Sequence, residues 1–316
     1  MRVLVTGGAG FIGSHLADRL LQEGHQVAVI DDLSSGRREQ VSDRARFYEV
    51  SVTSAWIERV IAKERPQVIY HLAAQIDVRR SVSDPLSDAE VNVMGTVQLL
   101  QAAARTGVDR VVFISSGGAI YGDTEDVPTP ESHPLRPASP YGAAKAAGEA
   151  YLTAFAHSFG LETAALRPGN IYGPRQDPHG EAGVIAIFTS LLLAGQAPVI
   201  NGDGRQTRDY VFVEDLVDAS LRLLQGPVGQ YNIGTGRETT VVEVTEELGR
   251  AVTELRGESG PPPAALHGPA RAGEQRRSCL DCSLAATRLG WTARVALPEG
   301  LRRTVAYFAE RGVGYL

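Results

Sequence analysis

The residues best suited to chemistry are Tyr141 and Lys145, within Ser139-Pro140-Tyr141-Gly142-Ala143-Ala144-Lys145-Ala146-Ala147. Serine stands where a helix cap belongs, proline takes the first helical position and alanines follow, so the spacing predicts a helix starting here. Four residues apart, Tyr141 and Lys145 share one face of it. A phenol titrating near 10 is a poor base at neutral pH, and bringing it to 7 takes roughly 4 kcal/mol of preferential phenolate stabilisation. An ammonium about 4 Å away, at an effective dielectric near 20, supplies about that much. Taken alone, the pair also suits an ordinary helix face. What gives it meaning is its setting, a serine pair at Ser115-Ser116 just upstream and a glycine-rich turn at the start of the chain.

That turn is Val3-Leu4-Val5-Thr6-Gly7-Gly8-Ala9-Gly10-Phe11-Ile12-Gly13-Ser14-His15-Leu16, a β-branched run joined to a helical pattern through three glycines at spacing three. Gly7 can take turn dihedrals, Gly10 lets backbone amides approach a pyrophosphate, and Gly13 lets the helix pack close to the strand. Gln26-Val27-Ala28-Val29-Ile30 reads as the next strand. Asp31 follows it, 18 residues after Gly13, where an acid bonds the adenosine ribose hydroxyls. The expected cofactor is NAD rather than NADP, because Asp31 repels a 2′-phosphate. Arg37 and Arg38 are the opposing feature, expected to face solvent or the ribose edge.

The elements that must carry these residues alternate: strand 2–5, helix 11–23, strand 26–30, strand near 46–50, helix 54–64, strand 67–70, helix roughly 84–106, strand 110–115, helix 141–159, strand 162–167. Such alternation predicts an α/β fold with a doubly wound parallel sheet, of the Rossmann kind, whose ligands lie beyond the carboxyl ends of the strands. After Arg167 the pattern passes into Gly/Pro-rich loops, where a smaller C-terminal α/β lobe is expected to begin. The 316 residues suffice for a full core, and the net charge of −6 argues against nucleic-acid binding. Cys279 and Cys282 are the two cysteines, too few for a disulfide framework and read as incidental thiols. With a strand expected from Arg2, no signal peptide is expected, and a cytoplasmic location follows. The apolar run Gly183 to Ile200 is broken by Gly195 and Pro198 and reads as a buried or interface helix rather than a membrane span. No metal site is expected.

The sequence resembles the extended short-chain dehydrogenase/reductase superfamily, most closely its UDP-glucose 4-epimerase branch, essentially end to end. The residues that carry the resemblance are Thr6-Gly7-Gly8-Ala9-Gly10-Phe11-Ile12-Gly13, Asp31-Asp32-Leu33-Ser34-Ser35-Gly36, His71-Leu72-Ala73-Ala74, Asn92-Val93-Met94-Gly95-Thr96, Ser115-Ser116-Gly117-Gly118-Ala119-Ile120-Tyr121-Gly122, Tyr141 with Lys145, Arg167-Pro168-Gly169-Asn170 and Arg208-Asp209-Tyr210-Val211. It implies tightly held NAD, contacted by Gly7, Gly10, Phe11, Ile12, Gly13, Asp31, Asp32, Leu33, Ser35, Gly36, Ser51 and Val52. Leu72, Ala73, Ala74, Gln75, Asn92, Ser115, Tyr141, Lys145 and Pro168 complete that set. Catalysis falls to Tyr141, Lys145 and Ser116.

For the substrate, a UDP-hexose, the resemblance implies Asn170 near the diphosphate and Arg208 and Arg271 on the uridine nucleotide. Arginine suits that role because its planar fork bonds phosphate oxygens in pairs. Ser116, Tyr141, Val184, Val199, Asn201, Glu274 and Ser278 complete the substrate set. The implied division is 1–170 plus 207–236 for the NAD-binding domain and 171–206 plus 237–316 for the nucleotide-sugar lobe. A homodimer through a four-helix bundle is implied as well, with Val93, Val97, Leu100 and Ala104 a stripe suited either to that packing or to the protein's own core.

Three positions depart from the family pattern. Val50-Ser51 replaces a Gly-Asp pair near the adenine, and Glu274 stands where an Arg-x-Gly-Asp motif carries aspartate. Gly117 occupies the usual site of the catalytic hydroxyl, which leaves Ser116, one place earlier, preferred over Ser115. The expected reaction is redox-neutral C4 epimerisation of a UDP-hexose. UDP-glucuronate 4-epimerisation is the nearer alternative; dehydration or decarboxylation is disfavoured because Gly117-Gly118 stands where dehydratases carry Asp-Glu. A non-catalytic NAD-responsive protein would have no need of Tyr141, Lys145 and the serine pair together. Ser278 falls where the branch places a residue beside the sugar's C2 substituent, and its small size predicts that N-acetylated hexoses are accepted too.

Overall fold

In a computed structural model of the chain the described residues are 1–179, 183–258, 260–270 and 275–311. The first part runs β1 (Arg2–Thr6), α1 (Phe11–Gln22), β2 (Gln26–Asp31), β3 (Arg46–Glu49), α2 (Trp56–Glu64), β4 (Val68–His71), α3 (Val78–Ser83), α4 (Pro85–Ala89), α5 (Gly95–Thr106), β5 (Arg110–Ile114), α6 (Gly117–Ile120), α7 (Pro140–Phe159) and β6 (Glu162–Pro168). The remainder runs β7 (Asn170–Tyr172), α8 (Val184–Leu193), β8 (Val199–Asn201), β9 (Thr207–Arg208), β10 (Tyr210–Phe212), α9 (Val213–Arg222), β11 (Gln230–Ile233), β12 (Thr239–Thr240), α10 (Val241–Arg256), β13 (Leu266–Gly268), α11 (Ser283–Leu289) and α12 (Leu297–Arg311).

Alternate residues along each central strand enter different cores, as a sheet covered on both faces requires. Val3, Val5, Val27, Val29, Val112 and Ile114 pack with α1, α9 and α11. Leu4, Ile30, Ile69, Val111, Phe113 and Ala165 pack on the other face with α2, α5 and α7. The sheet has seven strands in the order β11-β6-β5-β4-β1-β2-β3, every neighbour parallel. Connections run outward in opposite directions from β1 and β4, so the crevice at their carboxyl ends is where a ligand fits.

A third core joins Tyr172, Phe188, Phe212, Leu248, Leu301 and Val305 from β7, α8, β10, α10 and α12. Two-stranded ladders β7–β10, β8–β13 and β9–β12 lie beside the main sheet. The apolar run from Gly183 holds α8, ten residues long, and among the described residues no helix is long and apolar enough to cross a membrane.

The helix expected over roughly 84–106 is broken into three pieces. Asp84 caps α4 by accepting from Ser87 N at 3.1 Å, with Pro85 at its first position, which separates α4 from α3. A π turn over Glu90–Met94 then precedes α5. Such a turn inserts a residue into the helix, and here it directs Asn92 inward.

Candidate active site

The glycines at the end of β1 are demanded by close approach. Gly7 has φ +70, and a Cβ on it would lie 2.7 Å from Ala73 N. A Cβ on Gly13 would lie 2.1 Å from Gly7 O, so α1 seats on the turn only without a side chain there. On Gly10 the nearest atom would be Gly7 O at 3.3 Å, the side left open toward the crevice. No side chain caps α1, whose N-terminus begins at Phe11 and Ile12.

Asp31, buried at the end of β2, accepts from Ala9 N and Leu33 N, both at 2.9 Å. Burial pushes its carboxyl up against the pull of those amides. Leu33 takes a left-handed φ of 58 to make its contact, while Asp32 and Ser35 are exposed and Gly36 lies against Asp31. Arg37 pairs with Asp177 at 3.8 Å, and Arg38 lies over Phe47 and beside Asp43, so both arginines are engaged by protein groups. In the place of the missing Gly-Asp pair, Ser51 Oγ meets Thr53 Oγ1 at 3.1 Å, and Val52 is buried against Gly95.

Beyond β4, Leu72, Ala73 and Ala74 lead to Gln75. Gln75 N donates to Asn92 Oδ1, and Asn92 Nδ2 donates back to Gln75 O, each at 2.8 Å. Asn92 Nδ2 and Gln75 Nε2 both also donate to Asp88 Oδ1 at 2.9 Å. Behind them a buried chain of bonds has one possible direction. Thr96 Oγ1 donates to Asn92 O at 2.6 Å, so it accepts from His71 Nε2–H at 3.0 Å. With His71 neutral, as its lowered pKa requires, Nδ1 accepts from Thr6 Oγ1 at 2.8 Å. Burial and the nearby Lys145 charge push its pKa down to about 3, in accord with that tautomer. The sequence reading passed over Thr6, Thr96 and Asp88; the i, i+4 spacing of Asp88 and Asn92 was the available signal.

Ser115 and Ser116 follow β5. The Ser115 hydroxyl is buried without a hydrogen-bond partner among the described residues. Ser116 precedes α6 without capping it, and its hydroxyl lies close enough to the Tyr141 phenol to pull that group's pKa down against burial. A Cβ on Gly117 would lie 2.8 Å from Arg167 O and 2.6 Å from Leu280 Cδ1, so no side chain fits the position at which the family commonly carries its hydroxyl.

Ser139 accepts from Gly142 N at 3.1 Å to cap α7, and Tyr141 and Lys145 point into the site from its first turns. Lys145 Nζ donates to Ile114 O at 2.8 Å, 4.7 Å from the Phe113 ring centroid and 5.8 Å from that of Tyr141. The ammonium is thus anchored on a backbone carbonyl and lies within cation–π range of the Tyr141 ring. Burial holds the Tyr141 phenol up at about 12, the Ser116 hydroxyl pulling the other way, and burial lowers Lys145 to about 8. The loop behind Ser116 is pinned by a buried network in which Arg167 Nη2 donates to Glu149 Oε2 at 2.6 Å, Arg167 Nη1 to Tyr121 Oη at 2.9 Å, and Tyr121 Oη to Asn232 Oδ1 at 2.7 Å.

Pro168 is buried at the end of β6, and half-buried Asn170 starts β7, its N–H donating to Asp209 O at 2.7 Å. Arg208 Nη1 donates to Thr207 O and Gln275 O, at 2.7 and 2.9 Å, and Gln275 Nε2 reaches back to Gly122 O at 2.8 Å. Ser278 is buried on the segment held by Thr207 N→Arg276 O and Thr129 N→Cys279 O. Val184 opens α8, and Val199 and Asn201 bound β8, with Val199 46% exposed. Arg271 and Glu274 lie outside the described residues. Cys279 and Cys282 are free thiols, both raised by burial, and Cys279 Sγ contacts Asp209 Oδ2 at 3.8 Å.

These residues fit a dinucleotide. An uncapped helix N-terminus faces a side left open at Gly10, a carboxylate ends β2, and the Ser115 hydroxyl has no hydrogen-bond partner among the described residues.

The model of the NAD dependent epimerase/dehydratase family matches residues 3–234. A UDP-glucose 4-epimerase of Mycolicibacterium smegmatis is 50% identical over 319 residues, covering 98% of this chain and 99% of that one. The crystal structure of the Thermotoga maritima UDP-glucose 4-epimerase with UDP-glucose is 45% identical with a TM-score of 0.93, covering 98% of this chain and 99% of the other. The Thermus thermophilus UDP-glucose 4-epimerase in complex with NAD is likewise 45% identical, with a TM-score of 0.90 over the same shares. With the glycine turn, the Tyr141–Lys145 face and Ser116 all inside the matched region, the chain belongs to the NAD dependent epimerase/dehydratase family.

Proposed function

We propose that the protein interconverts UDP-glucose and UDP-galactose by epimerisation at C4, with NAD as the cofactor. The observation that carries this reading is Tyr141 and the buried Lys145 on the first turns of α7, close to Ser116 and beside a glycine turn and Asp31 suited to a dinucleotide. Full-length likeness to UDP-glucose 4-epimerases supports it.

In this reading the Gly7–Gly13 turn and the amides of Phe11 and Ile12 hold the pyrophosphate, Asp31 holds the adenosine ribose, and Gln75, Asn92, Ser115 and Lys145 hold the nicotinamide end. NAD, when bound, supplies a reversible two-electron oxidant for C4 and a positive ring near the phenol. Tyr141 takes the proton of the 4-hydroxyl as C4 is oxidised and returns it on reduction. Ser116, next to Tyr141, is placed to hydrogen-bond the 4-oxygen as its charge develops. Since the protein's own groups leave Tyr141 raised, added positive charge is what brings the phenolate into range. Asn170 and Arg208, with Arg271, hold the nucleotide diphosphate while the 4-keto sugar turns its other face. Residues 171–206 and 237–316 supply this grip, and 1–170 with 207–236 supply the cofactor site. Gly117 is closed to a side chain and Gly118 carries none, so neither acid of the dehydratase pair is present here, which favours epimerisation.

Buried Ser278 is read as leaving space beside C2, so UDP-N-acetylhexoses are accepted as well. The test is to incubate purified protein with UDP-glucose, UDP-N-acetylglucosamine and UDP-glucuronate separately and identify products by NMR. Conversion of UDP-glucose to UDP-galactose is expected; conversion of UDP-glucuronate alone would transfer the reading to a uronate epimerase.

The protein is read as a cytoplasmic homodimer paired through α5 and α7. Leu100 is taken into the protein's own core, but Met94 is 61% and Tyr151 41% exposed, and Val93 and Val97 are half-buried. These leave an apolar strip for a partner copy. Light scattering should give about twice the 33.8 kDa chain mass at micromolar concentration, and a monomer mass overturns the pairing.

A further inference from the structure

Lys145 carries a charge in a place that disfavours charge. It is buried, it donates to one carbonyl, and the rings of Phe113 and Tyr141 flank it. The titratable groups felt at this position are Asp88 from α4, Glu149 and Tyr141 from α7, and His71 from β4. His71 is neutral. Glu149 is bound by the Arg167 guanidinium through Nε at 3.0 Å and Nη2 at 2.6 Å, so its charge is met locally. Asp88 differs. It is 1% exposed, the donors on its Oδ1 are the neutral amides of Gln75 and Asn92, and no arginine pairs with it among the described residues; burial pushes its carboxyl up, and those amides and the Lys145 charge pull it back down.

We propose that Asp88 is a positioning residue for the reaction read above, its buried carboxylate being the unspent counter-charge that keeps the Lys145 ammonium charged and in place. The Gln75–Asn92 clamp fixes the carboxylate, α4 packs against α7, and the π turn aims Asn92 at both Gln75 and Asp88. A buried carboxylate with neutral donors lends its field to the nearest buried cation. In support, Asp88 is the foremost group opposing the burial-driven fall of Lys145 to about 8. At that value about nine-tenths of the ammonium survives at pH 7.

The chain has two lysines, Lys63 and Lys145, so protein labelled with ¹³C at lysine Cε gives two signals, assigned by Lys145→Met. In Asp88→Asn the side-chain oxygen still accepts from Gln75 and Asn92. The Lys145 midpoint should fall by about one pH unit, the size expected for one lost charge several ångströms away. The Lys63 midpoint and Tm should stay put, and Asp88→Glu should restore most of the shift. In the epimerase assay the alkaline limb of kcat should move down by the same amount. A Lys145 midpoint unchanged in Asp88→Asn overturns the proposal. Should that variant not fold, the wild-type Asp88 carboxyl carbon, assigned by its loss in Asp88→Glu, decides: it must titrate with the Lys145 midpoint, and indifference to Lys145 overturns the proposal. The NMR arms need no substrate, so a wrong reading of the reaction would show in the assay while leaving them intact.

Discussion

At the sheet edge, Gly7, Asp31, Ser115 and Ser116 each end or follow a strand bonded to neighbours on both sides, whereas Asn201, Arg208 and Ser278 sit on two- or three-residue strands or on a connecting segment. The first group is set by the register of seven parallel strands packed between two cores. The second is tied by two- and three-residue ladders and by side-chain bonds such as Arg208 Nη1 to Gln275 O, Gln275 Nε2 to Gly122 O and Arg277 to Glu238. Bond-making needs sub-ångström placement of a proton acceptor, and the sheet provides it. Holding a nucleotide sugar that must turn over needs a grip that yields, and short ladders provide that.

The strongest way to break this comparison is at the edge itself. Tyr141→Phe removes one oxygen and leaves the packing of α7 intact, and kcat should fall by about 10⁴-fold with NAD affinity unchanged by calorimetry. Retained turnover would mean that the phenol is not the base. A sharper cut separates the two serines. Ser116→Ala should cost kcat about 10²-fold as the loss of one polar contact in the transition state, while Ser115→Ala should leave kcat within a few-fold. The reverse order would move the catalytic hydroxyl to Ser115.

The yielding side is probed by Ser278→Tyr. Filling a pocket beside C2 should lower kcat/KM for UDP-N-acetylglucosamine by about 5–150-fold and spare UDP-glucose. Equal loss on both sugars would show that this region constrains turnover rather than sugar size.

Much of the edge was legible in the chain because strand-end chemistry is local. Three glycines at spacing three, an acid after the next strand and a capped Tyr-x-x-x-Lys each announce their geometry within a few residues. The alternation of patterns likewise predicts the parallel sheet. The start of the helix near 84 was in plain view as Ser83-Asp84-Pro85, a cap and a first-position proline, whereas the short helix α3 before it was not singled out. The π turn left no signal of its own, and the clamp that its Asn92 makes with Gln75 spans sixteen intervening positions of chain.

By itself the sequence determined the dinucleotide turn, the acid that faces a ribose, the helix that presents Tyr141 and Lys145, and the order of elements. These rest on backbone preferences and short-range spacing, which travel with the residues. The tertiary structure alone decided that Gly117 is closed by Arg167 O and Leu280, that Ser116 rather than Ser115 bears on the phenol, and that Lys145 Nζ is anchored on Ile114 O. It also decided that Asp88 shares the buried ground with Lys145. Those outcomes depend on segments distant in the chain that meet only when the cores close, and on burial, which shifts every charge by an amount that no local pattern encodes.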